Sequence, residues 1–196
     1  IADVKNKLGF VTEILNLGGG FGVRYTEKDP EIDYAEKISE IASVLRGQCD
    51  KYGISVPRIS MEPGRSIVAD AGLTLYTVGS VKEIRGYKNY VSIDGGMTDN
   101  PRFTLYESEY TVEIANKMNC PKDYTATVAG RCCESGDLIG ENFKMPKPQR
   151  GDILAVLTTG AYNYSMASNY NRVPRPPVVM LKDGKDYIAV RRETLD

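Results

Sequence analysis

The chain has 196 residues, and its 25 Lys and Arg against 26 Asp and Glu give a net charge of −1, which argues against nucleic acid or an anionic membrane surface as main partner. Histidine is absent, so neither a Ser-His-Asp triad nor a histidine-based zinc site can be built from these residues. No apolar run approaches the roughly 18 residues that a membrane span needs, and no signal-peptide pattern opens the chain.

Two strand–helix units are predicted in the first third of the chain. Residues 11–17 form a short apolar run that ends in the glycine loop GGGFG at 18–22. Asp29-Pro30 then predicts a helix start, and apolar residues at spacings of three and four predict an amphipathic helix that ends near Gly53. A second strand, at 54–61, runs into EPGR at 62–65. This order of elements indicates a parallel α/β structure.

The rest of the chain predicts short strands rich in β-branched residues and tyrosine, separated by glycine and proline. They lie at 73–83, 90–94, 110–115, 124–129, 153–157, 178–181 and 187–190. Asp183-Gly184 predicts a tight hairpin turn between the last two strands. We therefore expect an α/β part at residues 1–71 and an all-β domain of about seven strands at residues 72–196, in a small barrel or sandwich.

Two loops at predicted strand ends are candidate anion sites. In the glycine loop, backbone N–H groups can approach a phosphate closely, although a sharp turn without a ligand is the alternative. At the next strand end, Pro63 holds Glu62 in extended geometry, so that its carboxylate can project. Arg65 offers a fork for a carboxylate or phosphate. An ordinary N-cap turn at the surface is the alternative for this second loop.

Three segments of the second half carry reactive or charged groups. The sequence CCESGD at 132–137 places two thiols beside a carboxylate and a hydroxyl, which predicts an exposed functional loop. Arg102, in a polar loop, is suited to bidentate carboxylate binding, with a surface salt bridge as the alternative. Tyr162 follows a predicted buried strand, from which its phenol can reach an anion, with a core tyrosine as the alternative.

The four cysteines, Cys49, Cys120, Cys132 and Cys133, show no C-x-x-C spacing, and no metal-ligand pattern emerges. A chain of this size and apolar content does not need disulfides, so we expect reduced thiols in a cytoplasmic protein. Cys49 and Cys120 are expected to be buried fillers.

Taken together, these segments resemble the diaminopimelate decarboxylase family, which belongs to the fold-type III pyridoxal-phosphate enzymes with the ornithine and arginine decarboxylases and is similar to alanine racemase. The matching segments are GGGFG at 18–22, EPGRSIV at 62–68, DGGM at 94–97, PR at 101–102 with Tyr106, CESGD at 133–137 and GAY at 160–162. Family members consist of a (β/α)8 barrel followed by a β-domain, and a barrel needs about 250 residues. The resemblance implies that residues 1–71 are the last two barrel units and residues 72–196 the C-terminal β-domain of a longer enzyme.

The resemblance implies a site for pyridoxal 5′-phosphate, formed by Gly18, Gly19, Gly20, Glu62, Gly64, Arg65 and Tyr162. The glycines hold the phosphate with support from the EPGR backbone, and the tyrosine touches the phosphate or the ring edge. The carboxylate of Glu62 keeps the pyridine nitrogen protonated and the ring a strong electron sink. The family's cofactor-binding lysine and ring-stacking histidine lie upstream of Ile1. We therefore expect the chain to be a fragment that is inactive alone.

The resemblance also implies substrate contacts from Arg65, Arg102, Tyr106, Glu134, Ser135 and Tyr162. The two arginines and Tyr106 bind the carboxylate at the non-reacting end of the substrate, and Glu134 with Ser135 reads the distal ammonium. Cys133 reprotonates Cα after CO2 loss, a general-acid role that a thiol fills near neutral pH. Cys132 has no assigned role and is expected to pack.

Charge selects the substrate within this enzyme class. Ornithine has no far carboxylate and leaves Arg102 unused, whereas meso-2,6-diaminopimelate has both a carboxylate and an ammonium at its distal end. We expect its decarboxylation to L-lysine and CO2, the last step of lysine biosynthesis. Alternatives are a carboxynorspermidine, ornithine or arginine decarboxylase, or a catalytically silent homologue that regulates an active partner. Intact Cys133 and Glu62 argue against the silent homologue, and a free-standing β module does not explain the two strand–helix units.

The expected partners are the small-molecule substrate and a second copy of the protein, with neither nucleic acid nor membrane. In the family, the cysteine loop reaches the active site of the other subunit in a head-to-tail dimer. A two-fold axis lets each subunit lend the same loop to its partner. The resemblance therefore implies a homodimer with shared active sites.

Overall fold

The computed structural model describes residues 1–195, which divide along the sequence into two compact units between Ala69 and Asp70. The first unit contains α1 (Ala2–Leu8), β1 (Ile14–Asn16), α2 (Tyr34–Lys51), β2 (Arg58–Ser60) and α3 (Gly64–Val68). The second contains β3 (Leu73–Glu83), β4 (Asn89–Ile93), α4 (Arg102–Tyr106), β5 (Val112–Ile114), β6 (Tyr124–Ala129), β7 (Leu138–Met145), β8 (Ile153–Leu157), α5 (Asn163–Met166), β9 (Val178–Lys182) and β10 (Lys185–Val190), with 3-10 turns at Ala115–Lys117 and Tyr170–Arg172. Over the described range, no helix has both the length and the apolar character needed to cross a membrane.

A parallel pair of short strands organises the first unit. β1 and β2 are joined through α2, and Ile14 aligns with Arg58 and Asn16 with Ser60. Because the strands are parallel, the glycine loop after β1 and the EPGR segment after β2 leave the same edge of the pair. Both strands are shorter than predicted, with three residues each.

The start of α2 corrects the sequence prediction. The N-cap is Asp33, whose carboxylate accepts a hydrogen bond from the Glu36 amide at 3.0 Å, and not Asp29. Asp29 instead closes a turn, and the Thr26 amide at 2.8 Å is the main cause that lowers the pKa of its carboxyl. Aspartate suits turns and helix caps equally, so the sequence could not separate these two positions. The predicted end near Gly53 is confirmed, since α2 ends at Lys51.

A six-stranded sheet forms the body of the second unit, in the order β5-β8-β3-β4-β6-β7. The long strand β3 pairs with β8 through residues 73–77 and with β4 through residues 78–83, with a register shift at Gly79. The β4–β6 pair is parallel and the other pairs are antiparallel. The end strands β5 and β7 approach each other, so the sheet is nearly closed.

The second unit has eight strands where the sequence predicts about seven, because the prediction omits β7. This segment, LIGENFKM, contains a glycine and several polar residues and lacks the alternation that predicts a strand. It pairs with β6 through two register shifts, and Asn142 has a positive φ of 58°. Pairing with a neighbouring strand therefore overrides a weak local preference. The hairpin turn between β9 and β10 is confirmed, with Asp183 and Gly184 at φ 51° and 70°.

The two units differ in their buried apolar residues. The second unit has a core of fully buried side chains that includes Val78, Val91, Ile114, Val128, Ile139, Leu154 and Val156. Burying each such side chain stabilises the fold by about 1.5–3 kcal/mol. In the first unit, α2 buries Cys49, as predicted, while its Ile38 and Val44 are exposed. Most of the core therefore lies inside the nearly closed sheet.

Candidate active site

Glu62 is tied to the glycine loop at the end of the parallel pair. Its amide donates to the Gly18 carbonyl at 2.7 Å, and its Oε1 accepts from Asn16 Nδ2 at 2.6 Å. Asn16 Oδ1 in turn accepts from the Gly18 amide at 2.8 Å. Asn16 therefore connects the carboxylate to the loop. Sequence reasoning missed it because its contact with Glu62, 46 residues away, leaves no local signal.

The conformation of the loop requires glycine. Gly18 and Gly20 have φ values of 70° and 89°, which side chains rarely adopt. A methyl group at Gly19 would overlap the Glu62 carbonyl oxygen, while the space beside Gly18 and Gly20 is open. Residues 18–20 thus present backbone without side chains next to the exposed carboxylate of Glu62. In the next segment, Pro63 occupies the N-cap position of α3 without a side-chain hydrogen bond, and α3 begins with Gly64 and the half-buried Arg65.

In the second unit, Arg102 lies buried between two tyrosine rings. Arg102 is 8% exposed, and its guanidinium carbon is 4.9 Å from the Tyr162 ring centroid and 5.6 Å from that of Tyr106. α4 carries Arg102 and Tyr106 four residues apart, on one face of the helix. Such stacking stabilises a guanidinium and fixes the direction of its fork. The alternative of a surface salt bridge for Arg102 is wrong because the residue is buried.

Tyr162 adopts a strained backbone conformation beside this arginine. Its φ of 72° is unusual for a bulky residue, and such strain costs about 1–3 kcal/mol. The following helix α5 supports it, since Ser165 Oγ donates to the Tyr162 carbonyl at 2.7 Å. Tyr162 is 46% exposed, so the alternative of a core tyrosine is wrong. Strain that the surroundings maintain at an exposed aromatic residue is typical of functional sites.

The loop of residues 131–137 is exposed at Cys133, Glu134 and Ser135, as predicted. Glu134 Oε1 accepts from Ser135 Oγ, and Glu134 Oε2 accepts from Tyr170 Oη, both at 3.4 Å. The charge of Glu134 raises the pKa of the Tyr170 phenol. Tyr170, in the 3-10 turn Tyr170–Arg172, was not predicted, since its sequence surroundings carry no signal for a contact 36 residues away.

The two remaining thiols behave differently. Cys132 is half-buried, and burial, followed by the charge of Asp137, raises the pKa of its thiol, which fits the expected packing role. The prediction that Cys120 is buried is wrong. Its amide donates to the Lys117 carbonyl at 3.0 Å in a surface turn, where a small side chain has no core to fill.

The structure brings the predicted residues of each unit together. In the first unit, Glu62 and the glycine loop share one network. In the second, α4 carries Arg102 and also contacts the 131–137 loop, because Thr104 Oγ1 donates to the Gly136 carbonyl at 2.6 Å. The second unit therefore carries a buried cation on α4 and an exposed thiol and carboxylate on the 131–137 loop that α4 contacts.

Residues 10–160 match the family described as pyridoxal-dependent decarboxylase, C-terminal sheet domain. The chain belongs to this family. The diaminopimelate decarboxylase of Bacillus subtilis is 48% identical over 192 residues, which are 98% of this chain and 44% of that protein. The chain thus spans less than half the length of the curated relatives that it matches. The resemblance seen in the sequence is confirmed.

Solved structures of the decarboxylase family share the fold. Diaminopimelate decarboxylase from M. jannaschii in complex with L-lysine aligns with 100% of this chain and 44% of its own, at a TM-score of 0.87 and 32% identity. The lysine/ornithine decarboxylase of Vibrio vulnificus, complexed with cadaverine, covers 82% of this chain and 41% of its own, at a TM-score of 0.65 and 27% identity. The fold is therefore that of the C-terminal sheet domain of these decarboxylases.

Proposed function

We propose that this chain is the C-terminal part of a diaminopimelate decarboxylase that converts meso-2,6-diaminopimelate to L-lysine and CO2. The observation that carries the proposal is the buried Arg102 between Tyr106 and Tyr162, in the same unit as the carboxylate of Glu134. A substrate with both a carboxylate and an ammonium at its distal end needs one group of each charge. Relatives named diaminopimelate decarboxylase, at 48% and 49% identity, support this assignment.

In this proposal, residues 1–71 are the last two strand–helix units of a (β/α)8 barrel, and residues 72–196 are the C-terminal β-domain. The parallel pair β1–β2 with the intervening α2 supports the first part. Barrel enzymes carry their sites at the C-terminal ends of the strands. The glycine loop and Glu62 both follow such ends.

The residues of the first unit fit pyridoxal phosphate. When bound, this cofactor supplies an electron sink for the electron pair that remains when the bond to CO2 breaks. The glycine loop, open beside Gly18 and Gly20, lets backbone N–H groups approach a phosphate, with Gly64 and Arg65 close in sequence to its partner Glu62. The Glu62 carboxylate, oriented by Asn16, would hold the proton on the ring nitrogen.

The residues of the second unit would bind the substrate and supply a proton. Arg102, with Tyr106 and Tyr162, would take the distal carboxylate, and Glu134 with Ser135 the distal ammonium. During the reaction the Cα–carboxylate bond breaks, CO2 leaves, and Cα gains one proton. The exposed thiol of Cys133 would hold that proton and deliver it.

The test of the proposed function is the choice of substrate by the full-length enzyme. We expect kcat/KM for meso-diaminopimelate to exceed that for L-ornithine or L-lysine. Arg102→Lys keeps the charge but loses the fork, and we expect it to lower kcat/KM for meso-diaminopimelate by about 10- to 150-fold, equivalent to about 1.5–3 kcal/mol. Arg85→Lys, in the β3–β4 hairpin, is the control. Preference for L-ornithine, or equal effects of both variants, would contradict the proposal.

We also infer a cytoplasmic homodimer whose two active sites are shared. The family resemblance, in which the cysteine loop reaches the active site of the other subunit, supports a site completed by a partner subunit, and Cys133 is exposed in this chain. Inactive Glu62→Ala and Cys133→Ala enzymes should then complement each other after subunit exchange. With random pairing, half of the dimers are mixed and half of their sites are intact, so about a quarter of the activity should return. No recovery after demonstrated exchange would show that Cys133 serves its own subunit.

A further inference from the structure

Asp137 lies at the base of the 131–137 loop, which carries Cys133, and connects it to a second loop at residues 94–97. The residue is 3% exposed, and its two carboxylate oxygens have different partners. Oδ1 accepts from the Met97 amide at 2.6 Å, and Oδ2 accepts from the Cys132 amide at 2.7 Å. Hydrogen bonds from N–H groups to a carboxylate are about twice as strong as those between neutral groups. The backbone amide of Cys132, the residue directly before Cys133, is therefore anchored.

The backbone around Asp137 completes the closed loop. The Gly130 amide donates to the Asp137 carbonyl at 2.8 Å, and the Asp137 amide donates to the Glu134 carbonyl at 3.1 Å. The first bond joins the two ends of the 130–137 segment, and the second closes a turn within it. Cys133 and Glu134 therefore occupy the tip of a loop whose base is fixed at both ends.

Two glycines make room for the Asp137 carboxylate. A methyl group at Gly130 or at Gly96 would overlap its oxygen atoms. Gly96 also has a φ of 147°, which side chains rarely adopt. The carboxylate thus occupies a space between the two loops, and only glycine at positions 96 and 130 leaves room for it.

The second loop is itself fixed to the core of the sheet. Asp99 accepts from the Gly96 amide at 3.1 Å and from the hydroxyl of the buried Tyr76 in β3. Asp94 accepts from the Thr77 amide, also in β3, at 2.8 Å. Asp137 therefore connects the loop that carries Cys133 to β3, through the 94–97 loop.

We propose that Asp137 is a positioning residue, which holds the Cys133 thiol and the Glu134 carboxylate in place for the reaction under Proposed function, on which this inference rests. It touches neither substrate nor cofactor in this role. Asparagine at 137 keeps the shape, but its amide accepts at one oxygen only and turns N–H groups toward a backbone donor. Asp137→Asn should therefore lose the hydrogen bond to one of the two loops.

The matched control is Asp152→Asn. Asp152 is also nearly buried, at 8% exposed, and its carboxylate also holds a turn, accepting from the Gln149 amide at 2.7 Å and from Lys117 Nζ at 2.6 Å. These contacts involve neither the 130–137 segment nor the 94–97 loop. A general loss of stability would affect both variants, whereas loss of positioning would affect Asp137→Asn alone.

The experiment combines hydrogen exchange with kinetics on the full-length holoenzyme. We expect Asp137→Asn to speed exchange of the Cys132 amide at least tenfold and to lower kcat by about 10- to 100-fold, the scale of a misplacement of about 1 Å. Asp152→Asn should leave exchange of that amide unchanged and kcat within about twofold. A folded Asp137→Asn enzyme with unchanged Cys132 exchange and unchanged kcat would overturn the inference.

The wild-type exchange pattern decides the question even if Asp137→Asn does not fold. The Cys132 amide should then exchange at least tenfold more slowly than in an unstructured peptide, although the neighbouring Arg131 and Cys133 are exposed. Exchange at the unstructured rate would overturn the inference. A wild-type enzyme that does not decarboxylate meso-diaminopimelate would contradict the proposed function, while the exchange result would still show whether Asp137 fixes the loop.

Discussion

The two units present their functional groups from different kinds of scaffold. The second unit encloses a core within a nearly closed sheet, so α4 and the 131–137 loop stand on a rigid base. In the first unit, β1 and β2 have three residues each, and α2 leaves Ile38 and Val44 exposed. Parallel strands are normally buried on both faces. The groups proposed for the cofactor thus depend on packing that this unit alone does not supply, whereas those proposed for the substrate do not.

The units also differ in the chemistry that they offer to an anion. The first presents backbone, since Gly18, Gly19 and Gly20 have no side chains and are ordered by Asn16 and Glu62. The second presents the side chain of Arg102, aligned by the rings of Tyr106 and Tyr162. Backbone N–H groups surround a phosphate closely, while a guanidinium fork suits a carboxylate. This contrast supports a division of labour between cofactor and substrate.

The largest expected effect concerns folding of the separate units. Residues 72–196, expressed alone, should fold cooperatively, because the core of the second unit is formed within it. Residues 1–71 alone should not, because a two-stranded sheet with an exposed apolar helix face is at best marginally stable. Circular dichroism with thermal melting measures both. A cooperative transition for 1–71, or its absence for 72–196, would remove the contrast between the units.

Next in size is the effect of the thiol at the tip of the 131–137 loop. In the full-length enzyme, Cys133→Ala should lower kcat by about 10²- to 10⁴-fold, the usual contribution of a general acid. Cys120→Ala removes an equally exposed thiol that lies in another turn and should leave kcat within about twofold. Release of CO2 measures both variants. Equal rates for the two would mean that Cys133 does not supply the proton.

A smaller effect should appear in the pH dependence of the second unit's stability. Glu193 accepts from the Arg175 amide at 2.8 Å and from Asn169 Nδ2 at 2.6 Å, and its hydrogen bonds from the Arg175 side chain are the main cause that lowers its pKa to about 2. Because the folded pKa lies below the ordinary value of 4.5, the stabilisation is complete above pH 4.5 and is lost as the pH falls toward about 2.

Glu193→Gln should therefore lower the Tm of residues 72–196 at pH 6, and the difference from wild type should shrink between pH 4.5 and about 2. Glu113→Gln, at the Lys122 pair of β5, is the control in the same unit. Thermal melting over this pH range gives both curves. A Tm difference for Glu193→Gln that grows as the pH falls would contradict this reading of the Arg175 contact.

Much of the second unit could be predicted because its strands follow a clear local pattern. The strands β3, β6 and β8 begin and end where the sequence places them. The β7 strand and the start of α2 could not be predicted for the opposite reason. The β7 strand is stabilised by its pairing with β6, which its own sequence does not show. The start of α2 depends on a choice between Asp29 and Asp33, which have the same preference for helix caps and turns.

In the candidate site, too, residues with a local sequence pattern could be predicted, and residues defined by distant contacts could not. Residues inside recognisable segments, such as Glu62, Arg102 and Cys133, were proposed from the sequence. Glu62 and Cys133 lie in loops, as expected, whereas Arg102 lies in the short helix α4 and not in the predicted polar loop. Asn16 and Tyr170 were missed because their roles exist only through contacts with residues distant in the chain, Glu62 and Glu134. Such contacts leave no trace in the local pattern.

The central claim is that the first unit serves the cofactor and the second the substrate. The most direct test measures two quantities in the full-length enzyme, the affinity for pyridoxal phosphate and the preference for meso-diaminopimelate over L-lysine, in Glu62→Gln and Arg102→Lys. We expect Glu62→Gln to weaken retention of the cofactor and keep the preference. Arg102→Lys should retain the cofactor and lose the preference by about tenfold or more. The reverse pattern, or both losses in both variants, would contradict the division of labour.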